Sequence, residues 1–173
     1  MKPAVIALAS LVSLTACGKY NKDIHAQGPE PIPEEKEADW RLYGELPDFT
    51  TKVDWNSIGH EDASGNADYV YVWVMREFKH DQKPKTETED DFRTEYSRFA
   101  IDCATSKIAG IAIERHDKKD EETSRKDVPG YQWTFEAPTP GSYQQDFMTQ
   151  VCKIAQEKDQ ADQSDRKTHS KKK

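Results

Sequence analysis

The stretch Asp68-Tyr-Val-Tyr-Val-Trp-Val-Met-Arg-Glu-Phe78 constrains this chain more than any other. Its β-branched and aromatic residues favour an extended strand. Alternation places Tyr69, Tyr71, Trp73 and Met75 on one side and Val70, Val72 and Val74 on the other. A strand that is apolar on both sides needs cover on both. It therefore belongs in the middle of a sheet, with a helix over one face and partial cover over the other.

The flanking sequence supplies the neighbours. Trp40–Leu46 and Lys52–Ile58 read as earlier strands, and Thr94–Cys103, Lys107–His116 and Tyr131–Ala137 as later ones. In the fourth, Phe99, Ile101 and Cys103 share a face; in the fifth, Ala109, Ile111 and Ile113 do. Two charged stretches, 80–91 and 117–127, separate them as exposed connections. This spacing predicts an antiparallel meander. After Pro138-Thr-Pro-Gly141, Ser142 is placed as a helix N-cap with Gln145 three residues on. Phe147, Met148, Val151, Cys152, Ile154 and Ala155 then recur at helical spacing, and the pattern dissolves past Gln156. The expected fold is α+β, an antiparallel sheet of about five to six strands packed against one C-terminal helix. The stripe should cover the face carrying Phe99, Ile101 and Cys103.

The first residues suggest an export signal. Lys2 precedes a short apolar run to Leu14, and Thr15-Ala16 supplies small residues before Cys17. The run is well short of the roughly 20 residues a spanning helix needs. Leu14-Thr15-Ala16-Cys17 resembles the lipobox of bacterial lipoproteins, which implies cleavage before Cys17 and acyl chains on it. Each buried acyl methylene would hold the chain to a membrane by about 0.8 kcal/mol. Gly18, where an Asp would resemble an inner-membrane retention signal, points to the outer membrane. The expected organisation is a signal peptide at 1–16, an acidic, proline-rich tether at 17–39, a folded domain at 40–158 and a disordered basic tail at 159–173. With Cys17 acylated, Cys103 and Cys152 are left in an oxidising compartment, and a disulfide between them is the economical reading. Two free thiols or a metal pair is the competing one, which no further cysteine and no suitably spaced histidine supports.

Charge and motifs exclude more than they identify. The formal charge of −7 becomes −8 once residues 1–16 with Lys2 are removed, and the ten residues Ser164–Lys173 carry +4, so residues 17–163 stand at −12. An acidic body is a poor nucleic-acid binder. His25, His60, His80, His116 and His169 show no metal-ligand spacing, and no phosphate-binding or nucleophile motif occurs. No catalytic residue, cofactor or metal is expected. The acidic run Glu87, Glu89, Asp90 and Asp91 lacks the ligand pattern of a calcium loop. Trp55, Tyr69, Tyr71, Trp73, Tyr131, Trp133 and Tyr143 are candidates for a ligand groove, with core or cover the plainer reading. Arg166, Lys167 and Lys171–Lys173 read as a solvated tail, or as a contact for anionic lipid or polysaccharide.

The order Val53-Asp-Trp-Asn-Ser-Ile58, Val70-Tyr-Val-Trp-Val-Met75, Ile101-Asp-Cys103, Trp133, Pro140-Gly-Ser142 and Val151-Cys-Lys153 resembles the surface-adhesin protein E family of small outer-membrane lipoproteins. The resemblance covers about residues 40–156. It implies a sheet on a C-terminal helix, a Cys103–Cys152 disulfide and non-enzymatic display at the cell surface with binding to host matrix or serum proteins. The alternative is a periplasm-facing lipoprotein with a structural or assembly role. Monomer and homodimer both stay open. The long acidic inserts and the lysine-rich tail depart from the family pattern, which bears most on adhesion.

Overall fold

A computed structural model of the chain describes residues 32, 37–60, 69–84 and 90–170. Six strands form one sheet: β1 (Trp40–Glu45), β2 (Phe49–Asp54), β3 (Val70–Gln82), β4 (Phe92–Asp102), β5 (Lys107–His116) and β6 (Glu122–Asp127). Each pairs antiparallel with the next, giving the order β1-β2-β3-β4-β5-β6 of an uninterrupted meander. One helix, α1 (Tyr143–Ser170), follows. The expected α+β fold is the one observed.

The two faces of β3 organise the core as the alternation requires. Val70, Val72 and Val74 join Val53, Ile58, Ile101 and Ile108 beneath Phe147, Met148, Val151 and Ala155 of α1. On the opposite face Tyr71 packs with Ala100, Ala109 and Ile111 under Tyr69, Trp133 and Phe135. Cys103 at the end of β4 and Cys152 on α1 are joined as a disulfide, their Cα atoms 5.8 Å apart. The link sits among the residues packed against the helix-side core.

The start of α1 is fixed in three ways. Ser142 Oγ accepts from Gln145 N at 3.2 Å. The Gln145 side chain reaches back to Gly141 N at 2.6 Å, since Ser142 N already donates to Thr139 O. Tyr43 of β1 donates its hydroxyl to Asp146 at 2.6 Å, and Tyr143 lies edge-on to Tyr43. Gly44 leaves room for that tyrosine, because a Cβ there would sit 3.2 Å from the Tyr143 hydroxyl.

The ends of two strands shift from the sequence reading, β2 lying at Phe49–Asp54 where Lys52–Ile58 was expected and β3 running on to Gln82, and three further segments differ more. The sixth strand is Glu122–Asp127, inside the stretch expected to be a charged tip. Its stability comes from backbone pairing to β5 and from ion pairs such as Arg125–Glu114 at 2.7 Å, which hydrophobic alternation does not register. Charged residues along a sheet edge also discourage pairing with other chains. Tyr131–Ala137 is accordingly not a strand. It starts in a 3-10 turn, Gly130–Gln132, and its backbone pairs with the sheet through the isolated bridge of Ile108 to Glu136, while Trp133 Nε1 donates to Val128 O at 2.7 Å. Finally, α1 runs to Ser170, past the fraying expected after Gln156. Alanine, glutamine, glutamate, lysine and arginine sustain a helix by propensity after the apolar stripe has ended.

Lys158 anchors the helix where it leaves the sheet. Its ammonium donates to Trp55 O at 2.5 Å and Ile58 O at 2.9 Å, and it lies over the Trp55 ring. Lys158→Met keeps the stem but takes the ammonium away from both carbonyls, leaving Trp55 O only the Ile58 amide at 3.4 Å. It should lower unfolding free energy by about 1–3 kcal/mol, read from urea denaturation; an unchanged midpoint would contradict this anchoring role.

Candidate functional site

Helix α1 lies over one face of the sheet. On the other, Trp133 and Phe135 cover only the portion around Tyr71. Beyond them a groove of about 570 Å³ opens over β2, β3, β4 and β5, lined by Trp40, Met75, Tyr96 and His116 at its floor and by Lys52, Glu77, Arg93 and Lys118 around it. Strand register brings these together: Met75 pairs with Tyr96, and Tyr96 with Glu114. Trp40 and Tyr96 rings lie 5.8 Å apart and Tyr96 and His116 5.1 Å apart, so three rings from three strands form one row. Ile32 of the segment before β1 touches the same groove.

The charged groups are held rather than loose. Glu114 is buried and accepts from His116 Nε2 at 2.6 Å and Arg125 at 2.7 Å. His116 Nδ1 lies 2.8 Å from Asp120 in the β5–β6 turn. That turn is closed by Asp117, which accepts from the amides of Lys119 and Glu121. Lys52 pairs with Glu77 at 2.6 Å and Arg93 with Asp81 at 2.7 Å. Burial alone would lower the His116 pKa; the hydrogen bonds to Glu114 and Asp120 and their charges outweigh it and raise it above 6.5. The groove thus offers an aromatic floor and a rim of both charge signs. That is the make-up of a macromolecular contact surface, with aromatic anchors and a polar rim.

The residues singled out from sequence are distributed otherwise. Cys17 lies outside the described residues, as do His25, Glu87 and Glu89. Cys103 and Cys152 form the clamp between sheet and helix. Of the aromatic candidates, Tyr71 and Trp73 are buried, and Tyr69 and Trp133 serve as cover. Trp55 lies beneath the Arg41 guanidinium, Tyr143 faces the helix side, and Tyr131 is 83% exposed. None of them lines the groove. Its own rings, Trp40, Tyr96 and His116, are far apart in sequence, and only the meander register unites them. The signal available was parity: Tyr96 lies on the opposite side of β4 from Phe99 and Ile101. Among the described residues no cluster of histidine, cysteine or carboxylate side chains is placed to hold a metal. No helix among them is long and apolar enough to cross a membrane.

A family model described as surface-adhesin protein E matches residues 40–153, from the first residue of β1 to the one after Cys152. No curated protein matches the chain.

A histidine whose folded pKa is raised stabilises the fold fully below its unfolded pKa near 6.5, and that contribution is lost as pH rises through the folded value. The melting temperature should therefore fall as pH rises through that window. His116→Gln should remove that dependence. An NMR titration placing the His116 pKa at or below 6.5 would contradict the clasp.

Proposed function

Because the chain belongs to the surface-adhesin protein E family, we propose that it is a lipid-anchored outer-membrane protein whose open sheet face binds macromolecules outside the cell. A non-enzymatic role is what membership implies. Cys17 carries the acyl chains in this reading, residues 17–39 act as the tether, and the domain is displayed beyond the membrane. The observation that carries the binding role is the groove floored by Trp40, Tyr96 and His116 on the face that α1 leaves open. Truncating an aromatic residue that serves as a hot spot in such a surface costs about 2 kcal/mol or more. Host matrix or serum proteins, presenting mixed-charge surfaces with apolar side chains, suit a floor and rim of this kind.

Whole bacteria displaying the chain provide the test. Cells with the natural chain should retain immobilised matrix or serum protein, and Cys17→Ser should release the chain from the membrane fraction. Trp40→Ala and Tyr96→Ala should each weaken retention about tenfold or more, while Tyr131→Ala, outside the groove, should not. A domain that survives protease added to intact cells would overturn surface display in favour of a periplasm-facing structural or assembly role.

A further inference from the structure

Between the start of α1 and the sheet lies a mostly apolar, partly open cavity of about 220 Å³. Val74 of β3, Phe99 of β4 and Ile108 of β5 line it from the sheet, and Phe147 lines it from the helix. Phe147 stands edge-on to Tyr43, with ring centroids 5.4 Å apart, and to Phe99 at 6.0 Å. Held between those two rings, it does not drop into the space. Close-packed interiors leave few voids larger than a water molecule, and an apolar cavity of about 150 Å³ already takes a benzene ring. This one has room for a ring and a short arm.

Strand register lays polar groups along one wall. Thr51 pairs with Gly44 on one side and Arg76 on the other, Arg76 pairs with Glu95, and Glu95 with Arg115. One polar row therefore crosses five strands, and its Thr51 and Arg76 line the cavity together with Tyr143 of the first turn of α1. Thr51 is 3% exposed, and its hydroxyl completes no hydrogen bond among the described residues. The Tyr143 phenol stands by it, close enough for Thr51 to work against the burial that raises the Tyr143 pKa, yet outside hydrogen-bond geometry. A buried hydroxyl without a partner is unfavourable by itself, and a ligand that accepts from it removes the penalty. Arg76 places Nη2 on Glu95 at 2.6 Å and is 36% exposed, which leaves further N–H donors of its guanidinium for a ligand. The carboxylates on this side are already engaged, Glu95 by Arg76 and Arg115, and Asp146 by the Tyr43 hydroxyl.

We propose that this cavity binds a small aromatic carboxylate, with its ring against Phe99, Ile108 and Phe147 and its carboxylate between Thr51 and Arg76. The guanidinium selects an anion, and its planar fork of donors matches a carboxylate. Phenyl walls favour an aromatic ring, which packs edge-on or offset against them. The site lies on the helix side of the sheet, away from the groove, and depends neither on a lipid anchor nor on what the groove binds.

Titration of the full chain with hydrocinnamate, followed through backbone amide shifts by NMR, tests the site. Saturable shifts at Thr51, Arg76, Phe99 and Phe147 are expected, with affinity in the millimolar range or tighter for a ligand of this size. Arg76→Gln should weaken binding about tenfold or more, and hydrocinnamyl alcohol, of similar shape without the charge, should bind more weakly than the acid by a similar factor. Since Arg76→Gln also takes a cation from Glu95, Thr51→Val provides the variant that leaves the fold intact. It should weaken binding about tenfold, with the melting temperature of the free protein unchanged or raised, because no hydrogen bond of the fold is lost. Absence of saturable shifts, shifts centred on Trp40 and Tyr96 instead, equal binding of the alcohol, or undiminished affinity in Thr51→Val would each overturn the proposal.

Discussion

The covalent link between Cys103 and Cys152 is the constraint on which the rest of this molecule depends. It closes 49 residues of chain and ties the end of β4 to the middle of α1. In the chain-entropy account a loop of that length stabilises the fold by about 4 kcal/mol. Its geometric effect matters as much. With the helix pinned at Cys152 and held at its start by Tyr43 and Asp146, one face of the sheet is closed, and the far end of the helix has a fixed direction.

Two consequences follow for surface chemistry. The face without the helix is free to carry a groove, and its charges are ordered by shared carboxylates. Glu114 is bound by both His116 and Arg125 there, much as Glu95 is bound by Arg76 and Arg115 on the helix side. A buried carboxylate with two cationic partners holds long side chains in one arrangement, and removing a partner strands a charge. The groove rim therefore behaves as a fixed pattern of charge, suited to selecting a partner more than to adhering to any polar surface.

The sequence made the central architecture legible because the strongest signals were local. The two-sided apolar alternation around Trp73 and the stripe from Phe147 to Ala155 each predict an element and the face it buries. The cysteines were legible by counting and by parity with Phe99 and Ile101. What stayed hidden depends on pairing between distant segments. Glu122–Asp127 becomes a strand through β5 and its ion pairs, and Tyr131–Ala137, whose residues have strand character, is displaced from the sheet. The groove was hidden for the same reason, since Trp40, Tyr96 and His116 each look unremarkable alone. His116 shows no metal-ligand spacing in the sequence, and only the fold reveals a side chain 15% exposed and clasped by two carboxylates.

A closed helix-side face and an open face carrying a groove coexist only if the helix stays where the disulfide puts it. Amide hydrogen exchange of the oxidised and the reduced protein measures this directly. The account predicts that reduction will speed exchange in α1 between Phe147 and Ala155 well before it does so in β3 and β4. Identical protection of the helix in the two states would show that apolar packing alone holds it, and would contradict the clamp.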